Sequence, residues 1–216
     1  MKKVNFLCSD ENHPVMKYLI NWKDQNLDNY EISIFKSSRD LKGGDFLFLI
    51  SCNEIIKENI TNLYNHTLVI HASDLPDGRG WSPLSWQILE GKEKIKLSLI
   101  EANQKVDSGR IWLQKEMTIS NDMIFEEINK ILFESEIYLI NQALENSHNI
   151  EPYQQEIRDG LKTYKKRKPE DSKLDINKDI KSQFDLMRIA DPNRYPAFFI
   201  IHGRKYKIKL EQYEDD

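Results

Sequence analysis

Thr67-Leu68-Val69-Ile70-His71-Ala72-Ser73-Asp74-Leu75-Pro76-Asp77-Gly78-Arg79-Gly80-Trp81-Ser82-Pro83 is the stretch on which the reading of this chain turns. Thr67 to Ile70 form a strand-sized run of apolar and β-branched residues that halts at a histidine. Ala72 to Pro83 then spend two glycines and two prolines on a loop. Upstream, Val4 to Cys8 reads as a buried strand, and Asn12-His13-Pro14 opens a helical pattern through Val15, Met16, Leu19, Ile20 and Trp22. Glu31 to Phe35 alternates as a strand. Gly43-Gly44 breaks the chain before the apolar strand Asp45 to Ile50, and Asn53 begins a helix with Ile55, Ile56, Ile60 and Leu63 on one face. Strands alternating with helices predict an α/β domain with a mostly parallel sheet. In such sheets ligands bind at the carboxyl ends of the strands, where His71 sits, and this sets it above the other four histidines.

Downstream, Leu84 to Glu90 reads as a short helix and Ile95 to Leu99 as a strand running on to Glu101. A loop carries Asp107-Ser108-Gly109, Ile111 to Ile119 is extended, and Asp122 to Asn146 forms a long amphipathic helix that closes a first domain over residues 1–150. Residues 151–216 are expected to form a linker and a small C-terminal appendage. In it, Lys165 to Asp171 is a solvated charged run, Asp175 to Ile189 a helix, and Tyr195 to Ile201 a hairpin strand turning at His202-Gly203-Arg204-Lys205 into Tyr206 to Leu210.

Hydrophobic residues at 39% and charged residues at 31% suit a folded core. A net charge of -4 gives no general attraction for nucleic acid. The longest apolar runs are strand-sized, so no membrane span is expected, and an amino terminus without a secretory pattern predicts a cytoplasmic protein. Cys8 and Cys52 lack metal-ligand spacing, which predicts reduced thiols and no metal site. Ser9-Asp10-Glu11-Asn12 lacks the glycine pattern of a dinucleotide fold, so NAD is not implied.

An imidazole at one strand end and the Asp107 carboxylate near another are suited to share a cleft and move protons near neutral pH. Two linked elements then resemble the 10-formyltetrahydrofolate-dependent formyltransferases, the family of methionyl-tRNA formyltransferase and the amino-sugar N-formyltransferases. His71, Ser73, Leu75, Pro76, Arg79, Gly80, Pro83, Asp107 and Gly109 fall on the family pattern, and the resemblance is good over residues 44–120. It implies a Rossmann-like formyltransferase domain. It also implies catalytic roles for His71, at the formyl group, and for Asp107, which orients that imidazole and helps take the amine proton. The donor would be 10-formyltetrahydrofolate, held by backbone groups around Ser51, Cys52 and Asn53 and around Asn103 and Val106. Asp74, Arg79 and Trp81 are the expected acceptor contacts, and Trp86 is a further aromatic near the loop.

Lys168-Pro169-Glu170-Asp171-Ser172 and Arg188 to Phe199 look like the short extension of carbohydrate-directed members. This implies an amino-sugar acceptor, with or without an attached nucleotide, for a bacterial surface glycan or nonulosonic acid. Methionyl-tRNA, glycinamide ribonucleotide and water are the alternative acceptors, and a homodimer is left open. One departure stands out: the family places Asn two residues before the histidine, and this chain has Val69, which cannot donate to a developing oxyanion. Ser73, Asn103 or a backbone N–H would have to substitute, or the protein binds folate without turning it over. The remaining alternative is an interaction module in which His71 and Asp107 are structural.

Overall fold

The computed structural model describes residues 1–213; Glu214, Asp215 and Asp216, the end of the expected appendage, lie outside the described residues. Strands β1 (Lys2–Leu7), β2 (Tyr30–Phe35), β3 (Gly44–Leu49) and β4 (Tyr64–His71) pair in parallel in the order β2-β1-β3-β4. Uninterrupted apolar strands need cover on both faces, and these have it. Phe46 and Phe48 join Val4, Phe6 and Leu68 in one core, while Leu47 and Leu49 point to the other face and join Leu7, Leu41 and Tyr64. Each fully buried Phe or Leu contributes roughly 2 kcal/mol relative to exposure.

The first core is covered by α1 (Met16–Gln25) and the 22-residue α4 (Phe125–Asn146). Trp22 lies edge-on to Phe6 with ring centroids 5.3 Å apart, and its indole N–H donates to Asn141 Oδ1 at 2.7 Å, joining the two helices. Glu127 reaches back to accept the Ile124 N–H at 2.9 Å, which starts α4 three residues later than Asp122 suggests. Beyond β4 the sheet continues with β6 (Lys94–Glu101) and β7 (Ile111–Thr118), β6 antiparallel to both neighbours. The architecture is therefore the expected mostly parallel Rossmann-like sheet with one reversed strand. Helix α3 (Pro83–Leu89) follows the His71 loop.

The chain after residue 150 returns to that loop. Tyr153 bridges Ile111, and β8 (Thr163–Tyr164) lies parallel to β5 (Arg79–Gly80), a pairing with no local sequence signal. The expected hairpin is present as β9 (Ala197–Ile201) and β10 (Arg204–Ile208), but its turn is only His202-Gly203, both with positive φ, and Arg204 and Lys205 already pair in the strand.

Three expectations are corrected. The helix read from Asn53 is confined to α2 (Glu58–Thr61), because Ser51 turns left-handed at φ 49° and Glu54 is drawn off to accept from Ser38 N–H and Oγ. The helix read over 175–189 shrinks to α5 (Phe184–Arg188) after a 3₁₀ turn. Asp175 caps its own turn by accepting from Asn177 N–H and accepts Gln183 Nε2 on its carbonyl, so local side-chain bonds replace helical ones. The charged run 165–171 is no free linker, since Lys166, Arg167 and Lys168 form part of a cleft wall.

Gly109 passes so close to Glu101 that an added Cβ would collide with its carbonyl oxygen, whereas Gly160, at φ 82°, has open space around it. Gly109→Ala is expected to lose about 3 kcal/mol from steric displacement, and Gly160→Ala only about 1 kcal/mol from its φ. Urea denaturation of the two variants checks this, and equal losses would contradict the packing described.

Candidate active site

A cleft of about 830 Å³ opens at the carboxyl ends of β1, β3 and β4 and extends over both faces of the sheet. His71 and Asp107 lie together in it, with Nδ1 3.5 Å from Oδ1 and side chains only 7% and 8% exposed. The ring's other nitrogen is 2.9 Å from the Gly78 carbonyl oxygen. A carbonyl only accepts, so Nε2 carries the hydrogen and Nδ1, facing Asp107, is the nitrogen that takes up or gives away a proton. Asp107 Oδ2 accepts the Gly80 N–H at 2.9 Å, and its backbone is left-handed at φ 55°. The two quoted elements of sequence thus hold each other directly: the loop after His71 supplies a carbonyl to the imidazole and an N–H to the carboxylate.

Ser51, Cys52, Asn53, Asn103, Val106 and Trp81 also line the cleft. Trp81 is 41% exposed, with Lys166 Nζ 4.5 Å from its ring centroid. Trp86 stacks on Tyr164 and donates its indole N–H to Lys165 O at 2.9 Å, which makes it an anchor for the returning chain. Asp74 and Arg79, the other expected acceptor contacts, are not among the residues that line the cleft. Asp74 pairs with Lys96 at 3.0 Å and accepts from Gln114, while Arg79 donates to Gln155 Oε1 at 2.5 Å. Val69 lies two residues before His71 on the same strand face and lines the cleft with an alkyl surface. Of the substitutes, Ser73 is buried away from the cleft, whereas Asn103 lines it and accepts from Ser108 through Oδ1, with no acceptor for its amide N–H groups among the described residues.

The opposite lobe contains residues that sequence reasoning passed over. Glu136, from α4, is buried, its Oε2 has no hydrogen-bond partner, and burial raises its carboxyl to about 8. His13 packs edge-on against Phe133, and burial, followed by the charge of Arg194, lowers it to about 4. Arg194 Nη2 binds Asp10 Oδ2 at 2.7 Å and closes that end of the lobe. None of these has a local motif, because α1, α4 and the C-terminal segment meet only in the fold. Cys8 is buried, Cys52 half-buried, and both thiols are free. Among the described residues no group of three or more His, Cys, Asp or Glu side chains is placed to hold a metal, and no helix is long and apolar enough to cross a membrane.

An imidazole–carboxylate pair at a parallel sheet's carboxyl edge, facing a deep cleft, is chemically suited to proton transfer. Residues 2–144 match the formyl transferase family, and the chain belongs to it. Methionyl-tRNA formyltransferase of Protochlamydia amoebophila is 24% identical over 173 residues, 78% of this chain and 54% of that protein. The chain spans about half the length of that relative and of the Ehrlichia canis one. In fold it is similar to methionyl-tRNA formyltransferase from Clostridium thermocellum, with TM-score 0.81, 22% identity and coverage of 99% and 94% of the two chains. It is also similar to HypX from Aquifex aeolicus in complex with tetrahydrofolic acid (0.77, 20%, covering 94% and 36%) and to a 4-N formyltransferase from Francisella tularensis (0.70, 18%, covering 99% of each).

Burial of Glu136 has a pH signature. Its folded value near 8 exceeds the ordinary 4.5, so the stability linked to the protonated form is complete below about 4.5 and is lost as pH rises through 8. His13 acts in the other direction: its neutral form is favoured, and stability is lost as pH falls from 6.5 through about 4. Urea midpoints measured from pH 5 to 9 are expected to fall from about pH 5 and level off above about 8 in the parent, and to stay flatter in Glu136→Gln; parallel curves would place Glu136 in water.

Proposed function

We propose that the protein is an N-formyltransferase that moves the formyl group of 10-formyltetrahydrofolate onto the amine of an amino sugar, with or without an attached nucleotide. The observation that carries the reading is the His71–Asp107 pair, 3.5 Å apart in a cleft with two chemically different lobes. One lobe combines the apolar surfaces of Leu49, Ile56 and Val69 with the backbone of Ser51 to Asn53 and of Ala102 and Asn103, a surface that fits a flat heteroaromatic ring presenting amide-like edges. The folate donor, when bound, supplies an activated formyl carbon.

This chain's residues then have defined tasks. A neutral amine attacks the formyl carbon, and the proton it loses is taken at His71 Nδ1, with the Asp107 carboxylate beside that nitrogen stabilising the imidazolium; as the bond from that carbon to the donor nitrogen breaks, the same proton passes to the leaving nitrogen and the imidazole is neutral again. Negative charge developing on the formyl oxygen needs a donor, and the Asn103 amide is the side chain suited to supply it in place of Val69. The acceptor belongs in the Glu136 lobe. A neutral carboxyl and a neutral imidazole there offer hydrogen bonds to hydroxyls, and Arg194 is already paired with Asp10 and Asp191, which supports a sugar over a nucleic acid. Residues Asp191 and Arg194, from the stretch that resembles carbohydrate-directed members, complete that lobe. A cytoplasmic location goes with a folate donor. Val69 favours a second reading, folate binding without turnover.

Tetrahydrofolate release from 10-formyltetrahydrofolate, tested against a panel of free and nucleotide-linked amino sugars, decides between them. Acceptor-dependent release that disappears in His71→Ala and Asp107→Ala is the expected result. Folate binding with no turnover on any acceptor supports the second reading, and no folate binding overturns both. Once an acceptor is found, Asn103→Ala is expected to lower kcat about 100-fold and Val69→Asn to restore most of it. No loss in Asn103→Ala would move the oxyanion donor to a backbone N–H.

A further inference from the structure

Gln155 lies in an otherwise exposed segment, with Tyr153 at 52% and Ile157 at 70% exposure, yet its amide is turned inward onto the loop of Asp107. Nε2 donates to the carbonyl oxygens of Asp107 at 3.0 Å and Gly109 at 2.8 Å, while Oε1 accepts from Arg79 Nη2 at 2.5 Å. A guanidinium only donates, so Arg79 fixes which end of the amide faces it and commits both Nε2 hydrogens to the two carbonyls. The residue so gripped is a non-glycine at φ 55°, a conformation that ordinary side chains disfavour and that relaxes unless its surroundings hold it.

We propose that Gln155, locked by Arg79, is a positioning residue that holds Asp107 in its left-handed conformation and so keeps the carboxylate divided between His71 Nδ1 and the Gly80 N–H. This accounts for Arg79, whose place in the motif suggested a substrate contact and whose side chain instead serves the clamp. It also accounts for the return of residues 151–164 across the site. Tyr153 N–H donates to Ile111 O, Gly78 N–H to Lys162 O, and Lys162 N–H to Asp77 Oδ1, so one segment is bonded to the chain on both sides of the His71–Asp107 pair. Gln155 touches no reacting atom and acts through Asp107. The kinetic consequence rests on the formyl-transfer reading, whereas the geometric one does not.

The first measurement is therefore hydrogen exchange of the assigned Gly80 amide in the full chain without ligands, since that N–H donates to Asp107 Oδ2. In Gln155→Ala, and in Gln155→Glu, which keeps the acceptor for Arg79 but loses the donors, Gly80 is expected to exchange about 10-fold faster. Amides of Leu68 and Leu99, in the sheet, should be unchanged. Arg79→Met should give a smaller rise of the same sign, and it carries the test if a Gln155 variant fails to fold. With an acceptor from the panel, kcat should fall about 100-fold while KM for 10-formyltetrahydrofolate stays within about twofold, as for a displaced catalytic group. Unchanged Gly80 exchange in Gln155→Ala and Arg79→Met overturns the clamp whether or not an acceptor is known. Faster exchange with unchanged kcat overturns its catalytic role alone.

Discussion

Asp107 reaches His71 only because its backbone takes a left-handed turn, and most of the site's architecture bears on that turn. On one side Gly109 runs against the Glu101 carbonyl with no room for a Cβ, so the loop between β6 and β7 closes tightly. On another the Gly80 N–H binds the carboxylate, and from behind two carbonyls are bonded to Gln155. Loss of any one support leaves a conformation that is strained for an L-residue. A carboxylate on an ordinary solvated loop would sample many positions; here the supports leave one, with Nδ1 at 3.5 Å.

The sheet edge then divides the chemistry. Alternation along β3 and β4 sends successive side chains to opposite cores, so a cleft at their carboxyl ends necessarily meets two different surroundings. The side of Leu49, Ile56 and Val69 is apolar and edged with exposed backbone, while the side of His13 and Glu136 is polar, with those two groups held neutral. The cations of the Lys166 to Lys168 run, with Lys166 over the Trp81 ring, form another part of the wall. In the lobe assigned to the acceptor Arg194 is paired with Asp10 and Asp191, as a buried ionic group must be to avoid a large cost.

Local patterns in the sequence were sufficient for what is local. The run Phe46 to Ile50 and the stop at His71 declare buried parallel strands and their carboxyl edge, and the paired His71 and Asp107 elements point to one cleft. What stayed hidden depends on chain segments far apart. Asp74 and Arg79 sit inside the motif but are claimed by Lys96 and Gln155, partners 22 and 76 residues away. Glu136 lies on a helix whose apolar periodicity gives no sign that one carboxylate is buried with an oxygen unpaired. Side-chain capping by Asp175 and the left-handed Ser51 likewise override helical spacing that looked continuous.

Strain is distributed unevenly in this fold. Among the described residues four non-glycine residues have positive φ: His202 serves the hairpin turn, and the other three, Ser51, Ser82 and Asp107, all line the cleft. Each such residue costs on the order of 1–3 kcal/mol, so random placement of loops would have been cheaper. A two-sided aromatic and aliphatic core, with Phe6, Phe46 and Phe48 stacked through the sheet, offsets that cost and holds the three strand ends still. Rigid strands under strained loops form a preorganised edge, where donor-side backbone at Ser51, the start of α3 at Ser82 and the carboxylate of Asp107 are set before any ligand arrives. Strain of this kind persists only where the surroundings hold it, and here those surroundings are the strand ends that open into the cleft and not its outer surface.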